Sequence, residues 1–169
     1  MKKILLSCVL ALVAITGFSQ KYALIDTRYI LDKMPEYKMA QKTLDSVAAD
    51  WQKEIDGKQA ALDKMYKDYD AEQVMLSDEL KKKREDQLYN KEKELRDLQR
   101  KRFGFEGDLF KKRQELVKPI QDKVYNAVQK LSVARGYDLV LDKSEGITVI
   151  FADPKLDKSE DVLRELGVK

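Results

Sequence analysis

Apolar residues recur every three or four positions through two long polar segments of the chain, which is the spacing of helices that pack along one narrow stripe. In the first segment the stripe comprises Tyr37, Leu44, Ala48, Trp51, Ile55, Leu62, Met65, Tyr69 and Leu76. In the second it comprises Leu80, Leu88, Leu95, Leu98, Phe105, Leu109 and Leu116. Each segment has about forty residues, or about 60 Å of helix. The matched lengths predict an antiparallel helical hairpin over residues 35–118.

The turn of this hairpin is predicted near Ser77. A serine can cap a new helix, and Asp78 and Glu79 suit the positive first turn that follows it. Pro35 likewise suits the first turn of the first helix. A single helix running through Ser77 is the alternative, because serine and aspartate inside a helix cost only tenths of a kcal/mol.

The segments on either side of the hairpin have a different pattern. The stretch "KYALIDTRYIL" predicts a strand and then a helix, and "YDLVLD" and "ITVIFA" predict two further strands joined by "KSEG". A helix after Pro119, which marks a kink, should end at Gly136, and a last helix should be capped by Ser159. Residues 21–34 and 119–169 are therefore predicted to form a small β-containing body, and the fold class is α+β.

The predicted body has few residues and open sheet edges, so we expect an oligomer that joins the sheets of several chains. The two-helix hairpin buries only a narrow stripe, so we also expect it to be mobile. Both expectations follow from how little apolar surface either part can cover by itself.

The first twenty residues are typical of a secretory signal peptide. Lys2 and Lys3 precede an apolar run of about fifteen residues, and Gly17 and Ser19 have the spacing of a cleavage site. The run is too short to span a membrane. We expect cleavage after Ser19 or Gln20 and export across the inner membrane to the periplasm. A lipid-attachment site at Cys8 is the alternative, although only seven residues precede this cysteine.

The composition offers little to catalysis. The chain has no histidine, and its one cysteine is Cys8 in the leader, so the mature chain has neither a thiol nucleophile nor a thiolate metal site. It also lacks a glycine-rich phosphate loop, and its many carboxylates alternate with basic residues as surface pairs such as Glu92 with Arg96. We predict no enzymatic activity, no metal and no cofactor.

The charge of the mature chain is nearly balanced. Loss of Lys2 and Lys3 lowers the formal charge from +3 to about +1. Residues 77–113 carry a surplus of roughly four positive charges, whereas residues 36–76 carry a deficit of roughly three. A nearly neutral exported chain without a reading motif is a poor nucleic-acid binder, so we predict no nucleic-acid partner.

Both ends of the mature chain resemble the Skp/OmpH family of periplasmic chaperones. The similar stretches are "YALIDTRYILDKMPEYKMAQKTLD" and "KPIQDKVYNAVQKLSVARGYDLVLDKSEGITVIFADPKLDKSEDVLREL", with the charged helical segment between them. The resemblance implies a homotrimer with a β-barrel body built by all three chains and three helical hairpins that project from it. It also implies an ATP-independent holdase that binds unfolded outer-membrane proteins between these arms and prevents their aggregation. The family's cationic, histone-like label does not suit this nearly neutral chain.

Two sets of residues near the predicted tip of the arm are candidates for binding. The basic run from Lys81 to Arg84, which comprises Lys81, Lys82, Lys83 and Arg84, would attract acidic unfolded chains, and membrane or lipopolysaccharide surfaces to a lesser extent. Tyr66, Val74 and Met75 lie off the apolar stripe, and tyrosine and methionine suit promiscuous contacts. The alternatives without a binding role are that the basic run is a solvated charged face and that the three apolar residues pack within the hairpin.

The stretch "RKRFGFEGDLFKKR" combines weak helix formers with aromatic residues. Phe105 continues the apolar stripe, whereas Phe103 and Phe110 point away from it and either contact a client or pack on the neighbouring helix. Gly104 and Gly107 together cost about 2 kcal/mol of helix propensity relative to alanine. With Gly57 in the opposite helix they predict a hinge. We expect alanine at Gly104 and Gly107 to stabilise and stiffen the arm.

An alternative function, argued from the same helices, is a structural coiled-coil scaffold of the cell envelope. Such a scaffold would bind a folded partner or the membrane surface rather than unfolded chains. The two hypotheses differ in the partner that the arm would retain.

Overall fold

The computed structural model describes residues 20–144, 146 and 148–168. The predicted leader therefore lies outside the described residues, except for Gln20. The elements, in chain order, are β1 (Tyr22–Ile25), α1 (Thr27–Lys33), α2 (Pro35–Glu72), α3 (Asp78–Phe103), α4 (Asp108–Arg135), β2 (Leu139–Asp142), a 3-10 turn (Pro154–Leu156) and α5 (Ser159–Glu165).

The described residues divide into two compact units. One unit, here called the arm, comprises Met34–Asp122, and the other, here called the body, comprises the described residues of Met1–Lys33 and Lys123–Lys169. The fold class predicted from the sequence is confirmed, because a long helical hairpin is combined with a small two-stranded sheet.

The arm is an antiparallel hairpin of α2 and α3. Ile55 and Leu62 of α2 are buried with Leu88 and Leu95 of α3, and partly buried side chains extend this cluster at Met65, Tyr69 and Leu98. Burial of an aliphatic side chain of this size stabilises a fold by about 1.5–3 kcal/mol. The apolar stripe in the sequence is thus the packing surface of the hairpin.

The turn of the hairpin lies where the sequence predicts a helix cap. Helix α2 ends at Glu72, and Ser77 is the N-cap of α3, with its hydroxyl accepting a hydrogen bond from the Leu80 amide at 3.4 Å. Asp78 and Glu79 occupy the first turn of α3. The alternative of one uninterrupted helix through Ser77 is therefore wrong.

The returning side of the arm is not one helix, as the apolar stripe predicted, but two. Helix α3 ends at Phe103 and α4 begins at Asp108. Between them Gly104 is extended (φ −67°, ψ 171°) and Glu106 has a left-handed φ of 55°. The prediction that Phe105 continues the stripe is wrong, because the break turns its side chain outward and leaves it 97% exposed.

Pro119 neither begins nor ends a helix. It lies inside α4, which continues from Asp108 to Arg135 and ends, as predicted, where Gly136 has a positive φ of 65°. Val117, Ile120 and Val124 lie around the proline and are buried. Burial of this apolar face of α4 offsets the hydrogen bond that proline cannot donate.

The body contains a two-stranded parallel sheet. Strand β1 pairs with β2 in a register that runs from Tyr22 opposite Leu139 to Ile25 opposite Asp142. The other edge of β1 is occupied by the segment after the 3-10 turn, because Leu24 bridges to Asp157 and its carbonyl accepts the Lys158 amide at 2.8 Å.

The strand predicted over "ITVIFA" is wrong for its described residues. Residues 148–152 are not in a strand, and Ile150 and Phe151 are 95% and 87% exposed. A strand needs a ladder partner, and these residues pair neither with β1, whose second edge is taken by the residues around Asp157, nor with β2, whose outer edge is unpaired among the described residues. The side chains of Ile150 and Phe151 are therefore left uncovered in the single chain.

The core of the body lies between its helices and the sheet. Helix α1 packs on α5, and Ile30 and Val162 are fully buried there. Ala23, Leu24 and Ile25 of β1 are buried as well. Within the part of the chain that the structure describes, no helix has an apolar stretch long enough to cross a bilayer.

Candidate binding surfaces

Three aspartates in the body hold its segments together. Asp26 accepts a hydrogen bond from the Tyr29 amide at 2.9 Å and thereby caps α1, while the Asp26 amide donates to the Ser159 hydroxyl at 2.9 Å. Asp142 accepts from the amides of Thr27 at 3.2 Å and Ser144 at 2.9 Å. These contacts connect the two ends of the chain, which are far apart in sequence.

The third aspartate, Asp157, forms an ion pair with Lys143 at 2.7 Å and accepts from the Ser159 amide at 2.9 Å. Burial by itself would raise the pKa of Asp157, but the hydrogen bonds from Lys143 and Ser159 outweigh it and leave the pKa below its usual value. Burial by itself would also raise the pKa of Asp142. The hydrogen bonds from Thr27 and Ser144 outweigh this effect, so the pKa of Asp142 is below its usual value.

These carboxylates are structural, since each is engaged in capping a helix or tying a strand end. No group of three or more metal-ligating side chains occurs among the residues that the structure describes. The acidic stretches "ID", "VLD" and "LDKSED" therefore supply contacts that close the body.

The turn of the arm brings together two of the predicted sets of residues. Val74 and Met75 are 87% and 83% exposed in the connection between α2 and α3. The basic run begins in the first turn of α3, where Lys82 and Lys83 are exposed. Arg84 is not wholly available to a partner, because its guanidinium lies 3.7 Å from the Glu72 carboxylate.

A groove on one face of the hairpin contains the predicted Tyr66. Its volume is about 290 Å³, and we call it the tyrosine groove. Its lining residues are Tyr66, Tyr69, Asp70, Glu85, Leu88, Tyr89 and Glu92.

The tyrosine hydroxyls in this groove point to carboxylates. The Tyr69 hydroxyl donates to Glu85 at 2.6 Å, and this bond raises the pKa of Tyr69. The Tyr66 hydroxyl lies 3.5 Å from Glu92. Tyr89 is largely exposed and was not predicted from the sequence. Its position off the apolar stripe of a highly charged helix is the feature of the sequence that indicates an exposed aromatic residue.

A second groove lies on the same hairpin and differs in charge. Its volume is about 260 Å³, and it is lined by Lys58, Ala61, Leu62, Met65, Lys91, Glu94 and Leu95. Lys91 pairs with Glu94 at 2.7 Å, which lowers the pKa of Glu94. We call it the lysine groove.

The stretch around the helix break is organised by Arg102. Its guanidinium lies 4.6 Å from the centre of the Trp51 ring. It also pairs with Asp108 at 2.8 Å and with Glu54 at 3.4 Å. One side chain thus connects α2, the end of α3 and the start of α4.

The phenylalanines around the break have three different environments. Phe103 packs edge to face on Trp51, with ring centres 6.4 Å apart, so it contacts the neighbouring helix. Phe110 is about half exposed on α4, and Phe105 is almost fully exposed. A role for Phe103 and Phe110 in binding an unfolded chain stays a prediction.

The predicted hinge glycines also differ from one another. A Cβ added at Gly57, inside α2, would meet nothing within 4 Å. A Cβ at Gly104 would collide with the carbonyl oxygen of Arg100, and one at Gly107 would lie 2.8 Å from the carbonyl oxygen of Lys101. These glycines allow a close backbone approach, which opposes the stabilisation expected from alanine at Gly104 and Gly107; their role as a hinge stays a prediction.

The chain belongs to the OmpH-like outer membrane protein family, since residues 21–166 match the family model. A similar solved structure is the crystal structure of an OmpH-like protein from Caulobacter crescentus CB15, described as a candidate outer membrane chaperone. The two chains have 16% sequence identity and a TM-score of 0.70, and the match covers 89% of this chain and 85% of the other. At this identity the likeness concerns the fold. No curated protein gives a significant match.

Proposed function

We propose that this protein is a periplasmic, ATP-independent holdase chaperone that binds unfolded outer-membrane proteins and prevents their aggregation. Membership of the OmpH-like family and the description of the Caulobacter crescentus neighbour support this function. No nucleotide, metal or catalytic group is needed for it. Binding would come from many weak contacts along the arm.

The observation that carries the proposal is the exposed apolar surface of the arm. Its hairpin buries one narrow stripe and leaves large apolar side chains exposed, namely Tyr66, Val74, Met75, Leu80, Tyr89, Phe103, Phe105 and Phe110. Exposed apolar surface surrounded by charge is typical of interaction sites. Such dispersed contacts suit a client that has no fixed shape.

The test is aggregation of an unfolded β-barrel protein diluted from urea, followed by light scattering without nucleotide. We expect the scattering to fall as the chaperone approaches stoichiometric amounts. Unchanged scattering at several-fold excess contradicts the proposal. Capture of partners from a periplasmic extract distinguishes the scaffold hypothesis, because a scaffold would retain one folded partner instead of many unfolded chains.

We also propose that the body is completed by association into a homotrimer. Within the described chain β2 has β1 as its neighbour, and Ile150 and Phe151 are almost fully exposed. A second copy that covered these side chains would bury apolar surface worth about 25 cal/mol per Å². The number three rests on the resemblance to the Skp/OmpH family.

Sedimentation equilibrium tests the assembly. We expect the mass of three chains for the mature protein and a smaller mass for Phe151→Asp. Exposed Tyr125→Asp on α4 carries the same charge change and serves as the comparison. A monomer at micromolar concentration would contradict the proposal.

A further inference from the structure

The tyrosine groove is built by one face of each helix of the hairpin. Tyr66, Tyr69 and Asp70 have the spacing i, i+3 and i+4 on α2, so they lie on one face. Glu85, Tyr89 and Glu92 are separated by four and three residues on α3 and also share a face. The groove therefore follows from the helical period and from the register of the hairpin.

The lining of this groove is suited to a positive charge. Its ionisable carboxylates are Asp70, Glu85 and Glu92, and neither lysine nor arginine lines it. The lysine groove, by contrast, contains Lys58 and Lys91. Tyrosine rings attract cations through their negative faces, and carboxylates form charge-assisted hydrogen bonds with them.

The existing contacts of the carboxylates leave room for a guest. Glu85 accepts the Tyr69 hydroxyl at 2.6 Å through one oxygen, which orients both side chains. Glu92 pairs with Arg96 at 2.7 Å, a surface pair at i and i+4. Such a pair contributes only about 0.3–0.5 kcal/mol, so a guest cation can share the carboxylate.

We propose that the tyrosine groove binds arginine or lysine side chains of an unfolded client chain. The inference rests on the proposed holdase function and names the client feature that the groove recognises. A volume of about 290 Å³ suits a single side chain, since sites for drug-sized ligands span about 300–1,000 Å³. Arginine fits best, because its planar guanidinium stacks on aromatic rings and pairs with carboxylates.

The groove and the basic run then select different parts of the same client. Lys82 and Lys83 near the turn attract acidic stretches, whereas the tyrosine groove on the adjoining helix surface attracts basic ones. A client with both kinds of charge would satisfy both surfaces. The arm would thus prefer chains of mixed charge over strongly acidic ones.

The experiment measures the affinity of the full mature protein for two labelled, unfolded peptides by fluorescence anisotropy. The peptides share three phenylalanines in a Gly/Ser background and differ only in two positions, which hold arginine or its neutral analogue citrulline. We expect the arginine peptide to bind about two- to fivefold more tightly, the range that one exposed cation–π contact supplies.

Two matched variants on α3 locate the effect. Glu85→Gln with Glu92→Gln removes two charges from the groove, and we expect it to abolish the preference for arginine. Asp86→Asn with Asp97→Asn removes two charges from exposed positions of the same helix outside the groove, and we expect it to preserve the preference. Tyr66→Leu with Tyr89→Leu should weaken arginine binding without any charge change.

Several outcomes would overturn the inference. Equal affinities for the two peptides would do so, as would an equal loss of preference in both charge variants. If Glu85→Gln with Glu92→Gln changed the molar mass but not the peptide preference, the groove would be occupied by a second copy of the chain. A protein that suppresses aggregation but shows no arginine preference refutes the groove alone, whereas failure to suppress aggregation refutes the holdase function.

Discussion

The glycines of the arm provide a pair of substitutions with opposite expected effects. Gly57→Ala lies in the interior of α2, where a new Cβ meets nothing within 4 Å. It should raise the free energy of unfolding by about 1 kcal/mol, because alanine has a higher helix propensity than glycine. Gly57→Ala is also the control, since it makes the same chemical change in open space.

Gly104→Ala should have the reverse effect. The added methyl group would collide with the carbonyl oxygen of Arg100, whose own hydrogen bond to the Gly104 amide at 2.8 Å closes α3. Relief of such a collision requires a backbone shift, and overpacking of this kind costs about 1–3 kcal/mol. The two substitutions should therefore differ by about 2–4 kcal/mol in the free energy of unfolding.

Trp51 is a suitable reporter for this comparison. It is the one tryptophan in the chain, and it contacts Phe103 and Arg102 beside the break. Urea unfolding would be followed by its fluorescence and by circular dichroism at 222 nm. If Gly104→Ala raised the free energy of unfolding as much as Gly57→Ala, the close approach at Arg100 would be refuted, and the flexible hinge predicted from the sequence would be supported instead.

Three further predictions concern the tip, the hairpin packing and the body. Glutamine at residues 81–84 should slow capture of an unfolded acidic client at low salt, as measured by stopped-flow fluorescence. It should have little effect in 0.5 M salt, because surface charges are screened within a few ångströms at that ionic strength. Leu88→Ala should lower the free energy of unfolding of the arm by about 2–5 kcal/mol, which urea unfolding measures. Asp157→Asn should destabilise the body at pH 7, and the difference from the unsubstituted chain should shrink as the pH falls below 3.8, the ordinary value for an aspartate.

The sign of the last effect follows from linkage. The pKa of Asp157 is lower in the folded chain than in the unfolded one, so its ionised form stabilises the fold above the unfolded pKa. That contribution is lost as the pH falls through the folded pKa. A difference between Asp157→Asn and the unsubstituted chain that grew toward low pH would contradict the assignment.

Controls for the other two predictions are available on the same arm. Glutamine at four exposed lysines of α2 that are farther from the turn, Lys38, Lys42, Lys53 and Lys58, removes the same charge. An equal loss of capture rate would argue against steering by the tip. Leu80→Ala truncates a half-exposed leucine of α3 and should cost much less than Leu88→Ala; equal costs would show that the buried cluster is not the packing surface.

The pairing of α2 with α3 along one apolar stripe was predictable from the sequence because it depends on local period. Leu62, Leu88 and Leu95 fall on the stripe and are buried, and Ser77 caps α3 as its side chain predicts. The two glycines after Phe103 marked a weak point of the helix in the sequence, but the sequence did not show whether they form a flexible joint or a close backbone contact. Whether a glycine is a flexible joint or a close contact depends on which carbonyl groups lie beside it.

The candidate binding residues also divide into those that the sequence places by local pattern and those that only the tertiary structure brings together. Val74, Met75 and the basic run could be placed near the turn from sequence, because the length of the helices places the turn. The tyrosine groove could not, since Tyr66 and Tyr89 come from different helices and meet through the register of the hairpin. The role of Arg102 was missed for the same reason, as its partners Trp51, Glu54 and Asp108 are separated along the chain.

By itself the sequence determined the hairpin, its capped turn, the two-part organisation and the resemblance to an OmpH-like protein. These features follow from periodicity, capping chemistry and quoted motifs, which act over a few residues. Only the tertiary structure decided that "ITVIFA" forms no strand in its described residues, because strand pairing depends on contacts with other segments of the chain. It also decided that Gly104 closes a turn and that three tyrosines share a groove with three carboxylates, since each depends on atoms brought together from distant positions in the chain.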